Sequence, residues 1–89
     1  MKTIVETQGE ALEKLMGQEV MVFCGNYIYA GKFCGLDETH VKLSNPHIVY
    51  ETGAFTTKTY KDAQKLPSDE WFISRNAIES MGPGKSLGC

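Results

Sequence analysis

The sequence predicts an all-β domain with an N-terminal α-helix, built as a strongly bent five-stranded antiparallel barrel. Three observations carry that expectation. Apolar residues change from helical spacing before Gly17 to a strand run with little polar surface on either face after Gln18, the switch that separates helix from strand. Gly25-Asn26, two residues that tolerate positive φ, divides two runs of strand chemistry at hairpin spacing. Gly31 and Gly35 fall inside the second strand, where glycine weakens the ladder and marks bending or close backbone approach. A small sheet bent at two such points curls on itself and hides much of its edge.

Taken in order, Thr7-Gln8-Gly9-Glu10 fits a capping box, hydroxyl and carboxylate each satisfying a backbone amide. A helix over about residues 8–16 follows, with Leu12, Leu15 and Met16 on one face and Glu10, Glu13 and Lys14 toward water. Gly17 suits the left-handed residue that ends it. So short a helix does not persist alone in water, so it must dock. In the first strand Val20, Val22 and Cys24 alternate with Glu19, Met21 and Phe23, leaving little polar surface on either face. Tyr27-Ile28-Tyr29 opens the second strand, and a Gly35-Leu36-Asp37 bend leads to the third. There Val41 and Leu43 alternate with His40, Lys42 and Ser44, and Ile48-Val49-Tyr50 extends the strand past an irregular middle at Pro46.

Residues 53–68 form a polar insertion, within which 61–66 reads as one helical turn before Pro67. Its Lys58, Lys61 and Lys65 are interleaved with Tyr60 and Asp62, the pattern of a solvated loop. Trp71-Phe72-Ile73 is a fourth strand, and Ile78 and Met81 belong to a fifth after a break at Arg75-Asn76. Residues 1–81 thus make one domain, and 82–89, GPGKSLGC, a flexible tail.

Composition bounds the function. With 89 residues the chain buries only about 60–65% of its unfolded surface, so support from partner subunits is natural. A formal charge of -2 and a pI near 5.6 argue against a broad electrostatic footprint on nucleic acid, and any such site is local. No apolar run approaches the roughly 20 residues that span a bilayer, and MKTIVETQGE has no signal-peptide hydrophobic region. A cytoplasmic protein without membrane contact is expected.

Cys24, Cys34 and Cys89 form no C-x-x-C pair and have no histidine at ligand spacing, so neither metal nor cofactor is expected. Asp37 near His40 lacks an activated nucleophile or a second positioned carboxylate, so no catalysis is expected. Gly82-Pro83-Gly84-Lys85-Ser86 ends like a phosphate loop, but Glu79 stands where its first glycine belongs and no helix can follow.

Leu15-Met16-Gly17-Gln18-Glu19-Val20-Met21-Val22, followed by Tyr29-Ala30-Gly31-Lys32-Phe33-Cys34-Gly35-Leu36-Asp37, resembles the first motif of the Sm-like proteins. Phe72-Ile73-Ser74-Arg75-Asn76-Ala77-Ile78-Glu79-Ser80-Met81 looks like the second, with the texture of the Lys-His-Ala-Ile-Ser-Thr segment of bacterial Hfq. The resemblance covers roughly Glu10 to Met81. It implies an SH3-type barrel and a homo-oligomeric ring, a hexamer or heptamer, in which the fourth strand of one subunit pairs with the fifth of its neighbour. Trp71, Phe72 and Ile73 would then meet Ile78 and Met81 across the interface. It also implies that the Asp37 loop and the Arg75 turn converge near a pore where single-stranded RNA bases stack and hydrogen-bond. The residues so implicated are His40, Lys42, Arg75 and Asn76, with Asp37 and Thr39 in the supporting loop.

The sequence departs from the family at two places. After the motif's Asp the family continues with an aromatic residue or His, then Met-Asn, whereas this chain has Asp37-Glu38-Thr39-His40-Val41-Lys42-Leu43. A loop one residue longer puts His40 at the stacking position and Lys42 in place of the base-reading Asn. Without the insertion Thr39 and Val41 take those positions and the pocket is lost. The longer loop is favoured because it keeps Val41 and Leu43 on one face. Asn76 replaces the glycine after the second motif's Arg, a substitution the left-handed region tolerates. A structural oligomer that keeps the ring without the RNA pocket is the alternative expectation.

Overall fold

The computed structural model describes residues 10–87. Its elements are α1 (Glu10–Glu13), β1 (Glu19–Cys24), β2 (Ile28–Leu36), β3 (His40–Glu51), β4 (Asp62–Lys65), β5 (Glu70–Ser74), a 3-10 turn (Arg75–Ala77) and β6 (Ile78–Pro83). The strands form one antiparallel sheet in the order β4-β3-β2-β1-β6. Strands β4 and β5 share one edge of β3, β5 along His40–Ser44 and β4 along His47–Glu51, because β2 takes the other edge. The fold is therefore small and almost entirely antiparallel β.

The capping box lies in part outside the described residues. Within them, the helix expected to reach residue 16 is the single turn Glu10–Glu13. Beyond it the amides of Leu15 and Met16 bond three residues back, to Leu12 (2.9 Å) and Glu13 (3.1 Å), the tightening that closes a helix end. Gly17 then takes φ +85° and ends the segment in the left-handed region, as expected. Its amide donates to Phe33 O (2.8 Å), and Phe33 N donates to Gln18 O (2.9 Å). The backbone here is committed to β2, which stops the helix early.

Among the described residues six strands stand where five were expected. Residues 62–65, within the stretch read as a helical turn, are β4, paired from Asp62↔Glu51 to Lys65↔His47. The second half of β3 outruns β5 and would otherwise leave a row of unpaired amides and carbonyls. The Gly25-Asn26 hairpin forms, with Cys24 N donating to Tyr27 O (2.8 Å), but neither turn residue uses positive φ.

One core draws on the whole sheet. Val20 and Val22 of β1, Phe33 of β2, Val41 and Leu43 of β3 and Ile73 of β5 pack together, flanked by Leu15, Cys24, Tyr29, Leu36, Trp71, Ile78 and Met81. Strands far apart in the sheet order can share one cluster only if the sheet curls. Burying each such Val, Leu or Phe contributes about 1.5–3 kcal/mol. The bends fall at the expected glycines, where the β2–β3 register shifts between Ala30 and Lys32 and again between Phe33 and Gly35. A Cβ on Gly31 would lie 2.9 Å from Ser44 O and 3.2 Å from Leu43 Cβ, so β3 crosses β2 too closely there for any side chain. The irregular middle of β3 is Asn45, at φ +49°. It changes which residues point inward, from Val41 and Leu43 to Pro46 and Val49.

The segment expected to be a flexible tail is built into the fold through Lys85. Gly82 and Pro83 pair with β1 as the end of β6, Gly84 N donates to Glu19 O (2.9 Å), and Lys85 N donates to the Tyr60 hydroxyl (3.0 Å). The insertion supplies the partner that makes this end of the chain structural.

Candidate functional site

The site grows from the loop between β2 and β3. Asp37 Oδ1 accepts from the amides of Thr39 (2.8 Å) and His40 (2.7 Å) and from the Thr39 hydroxyl (3.2 Å), while Asp37 N donates to His40 O (3.0 Å). This is an Asx turn, in which a carboxylate replaces a backbone acceptor. The His40 amide, then the Thr39 amide, hold the Asp37 carboxyl below the usual carboxylate range, because each bond favours the charged form.

The same loop orients His40. The Thr39 hydroxyl lies 2.9 Å from His40 Nδ1, a hydrogen bond that turns the Nδ1 edge of the ring toward the loop.

Arg75 clamps the loop from the far end of the sequence. Its backbone N donates to Thr39 O (2.8 Å) and its Nη1 to Asp37 O (2.8 Å). It stands in the 3-10 turn that follows β5, and Ser74 at the end of β5 pairs with His40. That turn is right-handed throughout, so Asn76 does not use the left-handed conformation its position allows. His40, Asp37, Thr39 and Arg75 thus meet at one exposed corner, with Asn76 beside them on the turn.

Lys42 is drawn elsewhere. It lies on the same face of β3 as His40, half-buried, but its Nζ is 3.2 Å from Glu70 Oε2 and 5.8 Å from the centre of the Phe72 ring. Glu70 and Phe72 belong to β5, and the β3–β5 register sets Lys42 opposite Phe72. The sequence offered no pointer to Glu70, since only that register brings the carboxylate to the lysine. The Asx turn was legible in Asp37-Glu38-Thr39-His40, whereas the Arg75 clamp spans 38 residues.

No protein-family model and no curated protein matches this chain. The corner presents a guanidinium, an imidazole and hydroxyl and carbonyl groups on one hydrogen-bonded loop. Among the described residues no three His, Cys, Asp or Glu side chains come close enough to hold a metal ion. Among them, too, no helix is long and apolar enough to cross a membrane.

The residues expected at a subunit interface divide. Ile73 is 5% exposed and its side chain belongs to the core, so only its backbone is offered at the edge. Trp71, Ile78 and Met81 pack partly against that core, and Phe72 is exposed. Among the described residues β5 pairs only with β3, and β6 only with β1, leaving one edge of each open. Beside the β5 edge lies an open groove lined by Cys24, Tyr27, Tyr29, Trp71, Phe72 and Ala77.

Proposed function

We propose that the chain is an Sm-like protein that forms a homo-oligomeric ring and holds short single-stranded RNA near the pore, without catalysis. The observation that carries this reading is the clamp between Arg75 and the Asp37 loop. It sets an imidazole and a guanidinium at one exposed corner, with Asn76 next to Arg75 in the turn, the complement that stacks on and hydrogen-bonds unpaired bases. The inward Val41 and Leu43 support the longer-loop alignment, with His40 at the stacking position. Open edges on β5 and β6 support the ring, because each would otherwise expose a row of backbone donors and acceptors. Trp71 and Phe72 on one edge and Ile78 and Met81 on the other give the pairing an apolar component.

Fluorescence anisotropy with short U-rich and A-rich RNAs at low salt tests the function. Binding at micromolar ring concentration, weakened in His40→Ala and Arg75→Ala, is expected, and no binding to either RNA overturns it. Native mass spectrometry tests the ring separately, and a monomer alone refutes it.

A structural ring that has lost the RNA pocket is favoured by the pairing of Lys42 with Glu70, which neutralises the group at the base-reading position. Glu70→Gln separates the two readings. RNA affinity that rises in this variant supports a working pocket, and a ring that binds no RNA with or without it supports the scaffold.

A further inference from the structure

The Gly-Lys-Ser near the C-terminus looks like the end of a phosphate loop, yet its lysine enters none of the ion pairs among the described residues. Among the described residues Lys85 is the one charged side chain that is buried, 9% exposed. Its ammonium donates to the carbonyls of Thr52 (2.7 Å), Ala54 (2.7 Å) and Thr59 (3.1 Å) and to Thr57 Oγ1 (2.9 Å). It also stands 5.5 Å from the centre of the Tyr60 ring. Three protons meet four acceptors, so one is shared. The acceptors are neutral oxygens, mostly backbone, converging on one cation in the manner of carbonyl cages that replace an ion's hydration shell.

Apart from Lys85 the loop is closed by a few bonds of its own, among them the Thr57 hydroxyl donating to Ala54 O (2.8 Å) and lying 3.2 Å from Thr59 O. Residues 54–59 are exposed, Phe55 among them at 68%, so apolar burial does not hold the loop down. Its own backbone bonds are few and long, Thr57 N to Ala54 O at 3.1 Å and Lys61 N to Thr52 O at 3.3 Å. The other side of the contact is equally specific. A Cβ on Gly84 would fall 2.7 Å from the Tyr60 hydroxyl and 2.8 Å from the Val20 carbonyl carbon. Only glycine lets the chain thread between β1 and Tyr60 and deliver Lys85 to the cage.

We infer that residues 52–59 form a strap whose inner face is a receptor for a primary ammonium group, with Lys85 as its resident ligand. The insertion is closed by the C-terminal segment and opens without it. This holds whether or not the protein binds RNA or forms a ring.

Hydrogen exchange read by mass spectrometry on the full chain tests the strap, comparing wild type with Lys85→Ala. Peptides covering residues 52–61 are expected to exchange about tenfold faster or more in the variant, the effect of losing charge-assisted bonds, while β1 to β3 keep their protection. Ammonium chloride restores part of that protection. Tetramethylammonium chloride at equal ionic strength does not, having no N–H to donate. Equal strap exchange in the two proteins, or an equal response to the two salts, overturns the inference. Should Lys85→Ala fail to fold, Lys85→Met keeps the apolar stem and removes the ammonium alone. A rise of about tenfold confined to the strap peptides is then expected, and no rise overturns the inference.

Discussion

Two parts of this molecule use one device in opposite surroundings. At the Asp37 corner a carboxylate gathers the amides of Thr39 and His40 at the surface. At the strap a buried ammonium gathers the carbonyls of Thr52, Ala54 and Thr59 beneath a surface loop. Water competes for every bond at the corner and salt screens its charge. Inside the strap each bond is stronger, and each partner left alone costs more. The corner is therefore suited to exchanging partners with a ligand, and the strap to holding one arrangement.

Lys85→Ala is expected to have the largest effect on stability. It leaves several carbonyls without their donor, and a loss of about 2–3 kcal/mol follows, measured as a lowered denaturant midpoint at constant slope. A change within experimental error would remove the contrast between the two regions. Gly84→Ala comes next, since its methyl meets Tyr60, Val20 and Met21 at 2.7–3.0 Å. Overpacking of this kind costs about 1–3 kcal/mol, and the variant's strap should gain exchange in the same peptides as Lys85→Ala.

Asp37→Asn should alter stability less and function more. Because the folded-state value of the Asp37 carboxyl is lowered, its contribution is present above the unfolded-state pKa and is lost as pH falls through the lowered folded value. The wild type should therefore lose stability in acid more steeply than Asp37→Asn, and identical acid limbs in the two unfolding curves would show that the turn contributes nothing. In the RNA reading, Asp37→Asn also loosens His40 and weakens binding. The smallest effect belongs to Glu70→Gln. Its partner Lys42 is about one-third exposed and Glu70 more so, so the thermal shift should correspond to less than about 1 kcal/mol. A larger loss would mean that the pair holds β5 to β3 rather than merely masking the lysine.

The corner and the strap also differ in how far they could be read from the chain. Asp37-Glu38-Thr39-His40 announces its turn because donor and acceptor lie within three residues. Gly31, Gly35 and Gly17 announced bends and a helix end that the fold contains, since each is a local backbone demand. The helix failed to reach residue 16 because Gly17 and Gln18 spend their backbone groups on Phe33, a partner no local pattern reveals. Residues 62–65 carried no strand pattern of their own, and became one because β3 left an edge for them. Lys85 read as part of a loose tail because its partners lie 26–33 residues away in a loop with no apolar signal.

By itself the sequence determined where glycines end the helical segment and bend β2, that Val41 and Leu43 face inward together, and that a small antiparallel sheet must curl. Those are consequences of φ preferences and of the two-residue period of a strand. The tertiary structure alone decided which charges are committed: Arg75 to the loop, Lys42 to Glu70 and Lys85 to the strap. A charge chooses its partner by distance and burial, and both arise only when segments far apart in the chain are brought together.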